Sequence, residues 1–301
     1  MHRRLISGFL LALAAVCGLS PESLAAELVD TPDVPVEIAG RVILLQAHIN
    51  GTGPMSFILD TGATETVIVP SAATKAGIVS HRASPTQYKG TVESISVGSA
   101  EVNRLDVFVF DPPQALSLRL DKGINYSGIL GYTFLSRFIT TIDYGRSTVR
   151  LVPIASWPKD KWRIPAGAFV VPCQVAGGSI LVRGAVNGRG PVTFVLDTGS
   201  AEVLIVPKVA QALGLAQSAA PEYPGVGFSR LERVALGQAG VVDVPAIVHS
   251  LPAERQAGYS YDGILGYPFL SHFKVTLNYR DRLLVLEVLS PEAKKKTDAV
   301  P

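Results

Sequence analysis

An internal repeat is the feature that most constrains what this chain of 301 residues can fold into. Residues 49–70 (INGTGPMSFILDTGATETVIVP) match residues 186–207 (VNGRGPVTFVLDTGSAEVLIVP) without a gap, at an offset of 137. Residues 128–151 (GILGYTFLSRFITTIDYGRSTVRL) match residues 263–286 (GILGYPFLSHFKVTLNYRDRLLVL), at an offset of 135. Two copies of this length indicate a duplicated domain, because solenoids use many shorter repeats.

Each copy has the pattern of a small β domain. The 28 glycines and 21 prolines separate short apolar runs, which favours many short strands over long helices. Asn50-Gly51 and Asn187-Gly188 are strong hairpin signals. A proline begins a short predicted helix in each half, over Pro70 to Ala76 and over Pro207 to Leu213. The sequence therefore predicts an all-β fold of two homologous lobes with a few short helices.

The repeat also sets the predicted domain boundaries. Residues 27–152 form the N-terminal lobe and residues 173–290 the C-terminal lobe. Residues 153–172 contain four prolines and both tryptophans, and are predicted to connect the lobes. Residues 291–301 form a polar tail, in which the run Lys294-Lys295-Lys296 is typical of a solvated end.

Residues 1–26 have the pattern of a secretory signal peptide. Arg3 and Arg4 precede an apolar stretch that is too short to span a bilayer, and Ser23-Leu24-Ala25 offers small residues for cleavage. Retention of this segment as an anchor is the alternative. Cleavage leaves Cys173 as the single cysteine, so the mature protein has no intramolecular disulfide and depends on its core. We therefore expect an exported protein, periplasmic or secreted.

Each copy carries an Asp-Thr-Gly directly after an apolar triplet. These are Asp60-Thr61-Gly62 and Asp197-Thr198-Gly199. A carboxylate at the end of a buried strand is costly unless it is satisfied, and the glycine lets backbone amides approach it. If the lobes pack about a pseudo-twofold axis, Asp60 and Asp197 lie side by side and share a proton, so that one is an acid and the other a base. A water held between them then becomes a nucleophile without a metal or a covalent intermediate.

These residues resemble the aspartic protease superfamily, and most of all the bacterial exported aspartyl proteases of retropepsin type, arranged as a two-lobed, pepsin-like single chain. In that family a later apolar-apolar-Gly element accompanies each Asp-Thr-Gly, and Ile129-Leu130-Gly131 and Ile264-Leu265-Gly266 match it. The resemblance covers nearly all of the chain after residue 26. It implies two pepsin/retropepsin-like β-barrel lobes related by a pseudo-twofold axis and an extended substrate in the cleft between them.

The resemblance also implies roles for individual residues. Asp60 and Asp197 are expected to activate water, and Thr61 and Thr198 to form an inter-lobe hydrogen-bond grip. The family's flap is a hairpin over the cleft, often with an aromatic residue. The candidate flap residues are Tyr88 and Gly90 in Gln87-Tyr88-Lys89-Gly90, and Tyr223 and Gly225 in Tyr223-Pro224-Gly225-Val226-Gly227-Phe228. An ordinary surface loop is the alternative for both, because neither is a specific motif.

The residue that follows Asp-Thr-Gly differs between the copies. It is Ala63 in the first and Ser200 in the second. A hydrogen bond from the Ser200 hydroxyl to Asp197 favours the ionised carboxylate, and Ala63 has no such group to offer Asp60. From this asymmetry we expect Asp197 to be the more acidic member of the pair.

Other classes of function find no support in the sequence. The histidines are isolated, without metal-ligand spacing, and there is no phosphate loop, dinucleotide fingerprint or Gly-x-Ser-x-Gly. We therefore expect no metal and no cofactor. A formal net charge of +2 does not indicate a nucleic-acid partner. The short apolar runs predict no stable membrane insertion after signal cleavage.

The sequence thus predicts an aspartic endopeptidase that hydrolyses peptide bonds in peptides or unfolded proteins, and that works as a monomeric, intramolecular pseudo-dimer. A non-catalytic peptide-binding protein with the same fold is the alternative, although a pure binder does not require both carboxylates. In a third possibility, each half pairs with a half of another chain in a homodimer. The mass in solution separates this third arrangement from the monomer.

Overall fold

The computed structural model describes residues 31–82, 88–111, 124–157, 164–219, 223–250 and 260–298, and the predicted signal peptide therefore lies outside the described residues. Most of these residues belong to short strands. The first half forms β1 (Val34–Pro35), β2 (Glu37–Ala39), β3 (Val42–Ile49), β4 (Thr52–Leu59), β5 (Val67–Ile68), β6 (Ser80–Arg82), β7 (Tyr88–Val97), β8 (Ala100–Val109), β9 (Gly128–Leu130), β10 (Phe138–Asp143) and β11 (Thr148–Pro153). The second half forms β12 (Phe169–Ala176), β13 (Ser179–Val186), β14 (Arg189–Leu196), β15 (Val203–Ile205), β16 (Ser218–Ala219), β17 (Gly227–Leu236), β18 (Ala239–Val248), β19 (Gly263–Leu265), β20 (Phe273–Asn278) and β21 (Leu283–Val288).

The helices of the described ranges are few and short. They are α1 (Pro70–Lys75), α2 (Tyr132–Leu135), α3 (Pro207–Leu213), α4 (Tyr267–Leu270) and α5 (Pro291–Asp298), together with a 3₁₀ turn at Ile154–Ser156. The two predicted proline-led helices are confirmed, because α1 and α3 each begin at the proline that the sequence indicated. No helix in these ranges has both the length and the apolar character that crossing a membrane requires.

Each half closes into a six-strand barrel. In the N-terminal lobe the strand order is β3-β4-β9-β5-β8-β7, and a pairing between β3 and β7 completes the circle. In the C-terminal lobe the order is β13-β14-β19-β15-β18-β17, and β13 pairs with β17. The prediction of two homologous β-barrel lobes is therefore confirmed.

The barrel interiors explain the apolar triplets of the repeat. Phe57 and Leu59 of β4 are fully buried in the main core, as are Phe194 and Leu196 of β14. Because side chains alternate along a strand, Ile58 lies on the other face and joins a separate apolar cluster. The two strands that lead to the aspartates are therefore fixed by core packing on their inner side.

The predicted hairpin turns are also confirmed. Asn50 and Gly51 have φ angles of 50° and 73°, and Asn187 and Gly188 have φ angles of 50° and 75°. Two consecutive residues with positive φ define the type I′ turn, whose twist matches that of the flanking strands. The turn fixes the register between β3 and β4 and between β13 and β14, and therefore where each Asp-Thr-Gly emerges.

A sheet shared by both halves joins the lobes. Its order is β1-β11-β10-β20-β21-β12, with β10 antiparallel to β20. At its centre Thr141 pairs with Thr276, its equivalent in the repeat, and the two hydroxyl oxygens are 3.0 Å apart. A residue that pairs with its own copy lies on the symmetry axis, so this contact marks the pseudo-twofold axis of the molecule.

Two segments differ from their expected character. Phe169 to Pro172, at the end of the predicted connector, pair with β21 as part of β12. Residues 291–298, within the predicted polar tail, form helix α5, and Thr297 on this helix is buried. Both segments are ordered by partners that are distant in the sequence or on the opposite lobe.

Candidate active site

The apolar-apolar-Gly elements hold the backbone of each aspartate. β9 runs parallel to β4, and the Asp60 amide donates to the Leu130 carbonyl at 3.1 Å. β19 runs parallel to β14 in the same way, and the Asp197 amide donates to the Leu265 carbonyl at 3.0 Å. The second motif of each copy therefore serves to position the first.

The glycines that end these elements allow a close approach to the loops after the aspartates. A Cβ on Gly131 would meet the carbonyl oxygens of Glu65 and Ala63, and a Cβ on Gly266 would meet those of Glu202 and Ser200. Because a side chain would collide with backbone there, only glycine lets the strand pass behind the loop.

Thr61 and Thr198 lock the two loops to each other. The Thr61 amide donates to the Thr198 hydroxyl at 3.0 Å, and the Thr198 amide donates to the Thr61 hydroxyl at 3.1 Å. Each hydroxyl then donates across the lobe boundary, from Thr61 to the Leu196 carbonyl at 2.8 Å and from Thr198 to the Leu59 carbonyl at 2.7 Å. All four bonds are buried, so the relative position of the loops is rigidly determined.

The lock brings Asp60 and Asp197 together. Their carboxyl groups are hydrogen-bonded to each other, and both side chains remain partly accessible. A Cβ on Gly62 would lie 2.5 Å from the Asp197 carboxyl carbon, and a Cβ on Gly199 would lie 2.5 Å from that of Asp60. Each glycine therefore leaves the space that the opposite carboxyl group occupies.

A family model described as aspartyl protease matches residues 45–134 and 182–269, more than half of the chain, and each matched region contains one Asp-Thr-Gly. The chain belongs to the aspartyl protease family. A comparison with curated proteins finds no match. Two aspartyl protease regions in one chain correspond to the two barrels of the fold.

In this aspartyl protease the environment of Asp60 and Asp197 raises the pKa of both carboxyl groups, chiefly through burial. The pKa of Asp197 lies well above its ordinary range, because its charge would also face the Asp60 carboxylate. Asp60 accepts a hydrogen bond from Asp197, and the amides of Gly62 and Ala63 donate to Asp60 Oδ1 at 2.8 and 2.9 Å. The Gly199 amide donates to Asp197 Oδ1 at 2.8 Å in the same way. Such bonds favour an ionised carboxyl group, while two adjacent charges are costly, so the pair shares one proton.

The contacts of Ser200 do not support the expectation that its hydroxyl makes Asp197 the more acidic member. Its hydroxyl donates to the Glu202 carbonyl at 2.9 Å and accepts from the Glu202 amide at 3.3 Å, so it closes a local turn. Ala63 contributes through its backbone amide what its side chain lacks. A serine close to a backbone carbonyl commonly bonds to it, and this local bond takes the place of the expected one to Asp197.

The candidate flap residues lie on equivalent hairpins of the two lobes. Residues 83–87, including Gln87, lie outside the described part of the first hairpin, where Tyr88 is exposed and Gly90 pairs with Ser80. Gly90 is buried, and a Cβ there would lie 2.7 Å from Ile78 Cγ2. The role of Tyr88 and Gly90 as a flap stays a prediction.

The second hairpin packs against its own lobe. The Tyr223 ring lies 5.9 Å from the Phe228 ring, and the His249 ring nitrogen is 3.1 Å from the Gly225 carbonyl. Val226 between them is buried in the apolar cluster of the C-terminal lobe. These contacts fix the described part of this loop on the barrel, and a flap role for Tyr223 and Gly225 stays a prediction.

Four tyrosines beneath the loops were missed by the sequence analysis. The Tyr132 ring contacts that of Tyr279 at 5.5 Å, and the Tyr144 ring contacts that of Tyr267 at 5.8 Å, both edge to face and both between lobes. The repeat contains the pattern that indicates these tyrosines, because each lobe has one directly after its Gly-Ile-Leu-Gly and another in its last hairpin.

The described residues contain no group of three or more histidine, cysteine, aspartate or glutamate side chains arranged to hold a metal ion. The site that the structure assembles consists of Asp60, Thr61, Gly62, Asp197, Thr198 and Gly199, while Ser200 supports it through its backbone.

Proposed function

We propose that this aspartyl protease is an active aspartic endopeptidase that hydrolyses peptide bonds with water activated by Asp60 and Asp197. The observation that carries the proposal is the hydrogen-bonded carboxyl pair, held on the pseudo-twofold axis by four reciprocal threonine bonds. Such rigidity supports catalysis, because small displacements of reacting groups are costly to the rate.

The chemistry follows from the shared proton. Ionised Asp60 takes a proton from a water molecule as the water oxygen attacks the peptide carbonyl carbon, and protonated Asp197 gives its proton to the carbonyl oxygen. The resulting tetrahedral intermediate breaks its C–N bond when the nitrogen receives the proton held by Asp60 and a hydroxyl proton returns to Asp197. The pair ends in its starting protonation state.

Apolar patches beside the aspartates support a peptide substrate. The N-terminal patch belongs to an apolar cluster in which Ile58, Val67 and Ile129 are buried and Ala63 and Phe108 are partly exposed. The C-terminal patch belongs to a cluster in which Leu204 and Ile247 are buried and Ile264 and Phe228 are partly exposed. Because the Ala63 amide is bonded to Asp60, the N-terminal patch begins next to the carboxylate. An extended peptide across the axis would place one side chain on each patch.

The decisive experiment compares the wild type with Asp60→Asn and Asp197→Asn on an unfolded protein substrate, from acid to neutral pH. We expect each variant to lose more than about a thousandfold in kcat/KM, because neither lobe replaces the other's carboxyl group. Asp106→Asn is the matched control, since Asp106 is an exposed carboxylate on β8 that bonds to Thr91, and its activity should stay within about twofold.

Two results would contradict the proposal. Undiminished cleavage by both active-site variants would exclude the paired-aspartate mechanism. A wild type that binds peptides and cleaves none over the whole pH range would favour the non-catalytic peptide-binding protein.

We also propose that residues 1–26 direct export, to a periplasm or out of a bacterial cell, and that the protein works as a monomer. The basic and apolar pattern of these residues supports export, and the sheet shared by both halves supports the monomer. N-terminal sequencing of the mature protein should begin near Ala26 or Glu27. Activity per molecule should not fall on dilution, as it would for a dissociating homodimer.

A further inference from the structure

Helix α5 lies against both lobes. It follows β21 of the C-terminal lobe, yet its Ala293 lies against Gly145 in the β10–β11 turn of the N-terminal lobe, where a Cβ on Gly145 would be 2.6 Å from Ala293 Cβ. The Leu289 side chain, just before the helix, lies on the same glycine. On the C-terminal lobe, the Tyr267 hydroxyl donates to the Thr297 carbonyl at 2.8 Å.

Tyr267 connects this helix to the loop that carries Asp197. Its backbone amide donates to the Ser200 carbonyl at 2.9 Å, three residues after the aspartate. Its ring packs edge to face on Tyr144 of the other lobe, at 5.8 Å and 79°. Both rings are buried. Tyr267 therefore contacts the loop of Asp197 through its amide, the opposite lobe through its ring and helix α5 through its hydroxyl.

The N-terminal lobe has the same arrangement without the helix. The Tyr132 amide donates to the Ala63 carbonyl at 2.8 Å, and its ring packs on Tyr279 at 5.5 Å. The segment after β11 is the 3₁₀ turn Ile154–Ser156, held by the Arg280 guanidinium through the Ile154 carbonyl at 3.3 Å. The bond between a tyrosine hydroxyl and a helix carbonyl therefore distinguishes the C-terminal lobe within the described contacts.

We propose that Tyr267 is a positioning residue for peptide hydrolysis, and that helix α5 fixes it through the Thr297 carbonyl. The helix orients the Tyr267 ring between the lobes, and the Tyr267 backbone in turn fixes the Ser200 carbonyl and the loop of Asp197. This inference rests on the proposed endopeptidase function.

Loss of the hydroxyl bond should affect the chemical step more than substrate binding. Tyr267 packs in the main core and belongs to neither apolar patch, so KM should hardly change. A small displacement of the Asp197 loop lowers kcat, because the acid and the base must be placed accurately for proton transfer. Weaker contact between the carboxyl groups also weakens the sharing of their proton, which brings the two apparent pKa values of the pair together and narrows the pH window of kcat.

The test is a double-mutant cycle between Tyr267→Phe and a chain that ends at Ser290. Tyr267→Phe removes only the hydroxyl, and we expect kcat to fall about fivefold, with KM within about twofold of wild type. The shortened chain should lose at least as much, and adding Tyr267→Phe to it should cost nothing further, because the partner of the hydroxyl is already absent. Lys295→Ala, on the exposed face of α5, is the control and should match wild type.

An unchanged kcat in Tyr267→Phe, full activity in the shortened chain, or additive losses would each overturn the inference. So would a fall in kcat with an unchanged pH window, because it would indicate a general structural role. Inactivity of the wild type in the same assay would instead be a failure of the endopeptidase proposal. In that case the same cycle measured by thermal unfolding still decides whether the hydroxyl and the helix are coupled.

Discussion

The two lobes carry equivalent residues on the pseudo-twofold axis and different residues beside it. On the axis, Thr61 and Thr198 make the same bonds with exchanged partners. Beside it, Lys89 and Phe108 are cross-strand neighbours in the N-terminal lobe, and Lys89 Nζ lies 4.9 Å from the centre of the Phe108 ring. The same positions of the equivalent hairpin in the C-terminal lobe hold Phe228 and Ile247.

This difference shows where the duplicated fold requires symmetry. Residues that contact their own copies across the axis must be the same in both lobes, because each one is both donor and acceptor to its equivalent. Each apolar patch consists of residues from one lobe and does not include its own copy. The patches are therefore free to diverge, as the cation over an aromatic ring in one lobe and the phenylalanine in the other illustrate.

The largest effect that tests this comparison is expected from the threonine lock. Thr61→Val and Thr198→Val each keep the shape of the side chain but leave a buried amide and a buried carbonyl without a partner. Each variant should lose about 3 kcal/mol of unfolding free energy and about a hundredfold in kcat/KM. Denaturant unfolding and peptide kinetics measure the two losses.

Because the threonine bonds are symmetric, Thr61→Val and Thr198→Val should lose the same unfolding free energy and the same factor in kcat/KM. Thr141→Val is the control, because its hydroxyl joins the lobes through Thr276 in the shared sheet, away from the aspartates. It should keep kcat within about twofold of wild type. A difference of more than about 1 kcal/mol between the unfolding free energies lost by the two variants would show that the contacts on the axis are not symmetric.

A smaller effect should distinguish the two aspartates by stability. Burial raises the pKa of Asp197 in the folded state, so the stabilising protonated form is fully present below the unfolded pKa and is lost as the pH rises through the folded pKa. Asp197→Asn has no carboxyl group to ionise, so it avoids the destabilisation at neutral pH. The variant should therefore raise Tm at neutral pH but not in acid. The rise should be smaller for Asp60→Asn, because Asp60 is the member proposed to be ionised in the resting pair.

Thermal unfolding across the pH range measures both variants. Asp106→Asn again serves as the control, since it removes an exposed carboxyl group on β8. A greater rise for Asp60→Asn than for Asp197→Asn would reverse the assignment of the charged member.

The smallest effect is expected at the position after Asp-Thr-Gly. Ser200→Ala makes the C-terminal loop match the N-terminal one, and it removes a hydroxyl that bonds to the backbone of Glu202. The acid limb of the pH–rate profile should not move, because this hydroxyl is not bonded to Asp197. A shift of about half a pH unit or more would restore a role for Ser200 in the acidity of the pair.

The fold and the paired site could be predicted because their determinants are local and occur twice. The Asn-Gly turns, the apolar triplets and the Asp-Thr-Gly loops each act within a few residues, and duplication supplies the axis. The bond from Ser200 to Glu202 was not predictable, since the choice between a carboxylate and a backbone carbonyl depends on the path of the turn.

Helix α5 and the tyrosine pairs were missed for another reason. Three lysines in succession give α5 no apolar stripe, and its ordering depends on contacts by Ala293 and Thr297 with surfaces that exist only after the lobes pack. Likewise, the contact between Tyr144 and Tyr267 depends on the relative position of the lobes. Pairing of Phe169 to Pro172 with β21 has the same origin.

The long separation of the axis contacts has a consequence for the order in which the protein matures. Thr61 and Thr198 are 137 residues apart, and Thr141 and Thr276 are 135 apart. During synthesis the N-terminal barrel can close as soon as its own strands have emerged, but its aspartate then has no counterpart. The proposed active site forms only when the second barrel has folded and docked. Contacts between residues so far apart in the sequence are among the slowest to form. A nascent chain that has formed only the first barrel therefore lacks the second carboxyl group that the proposed activity needs.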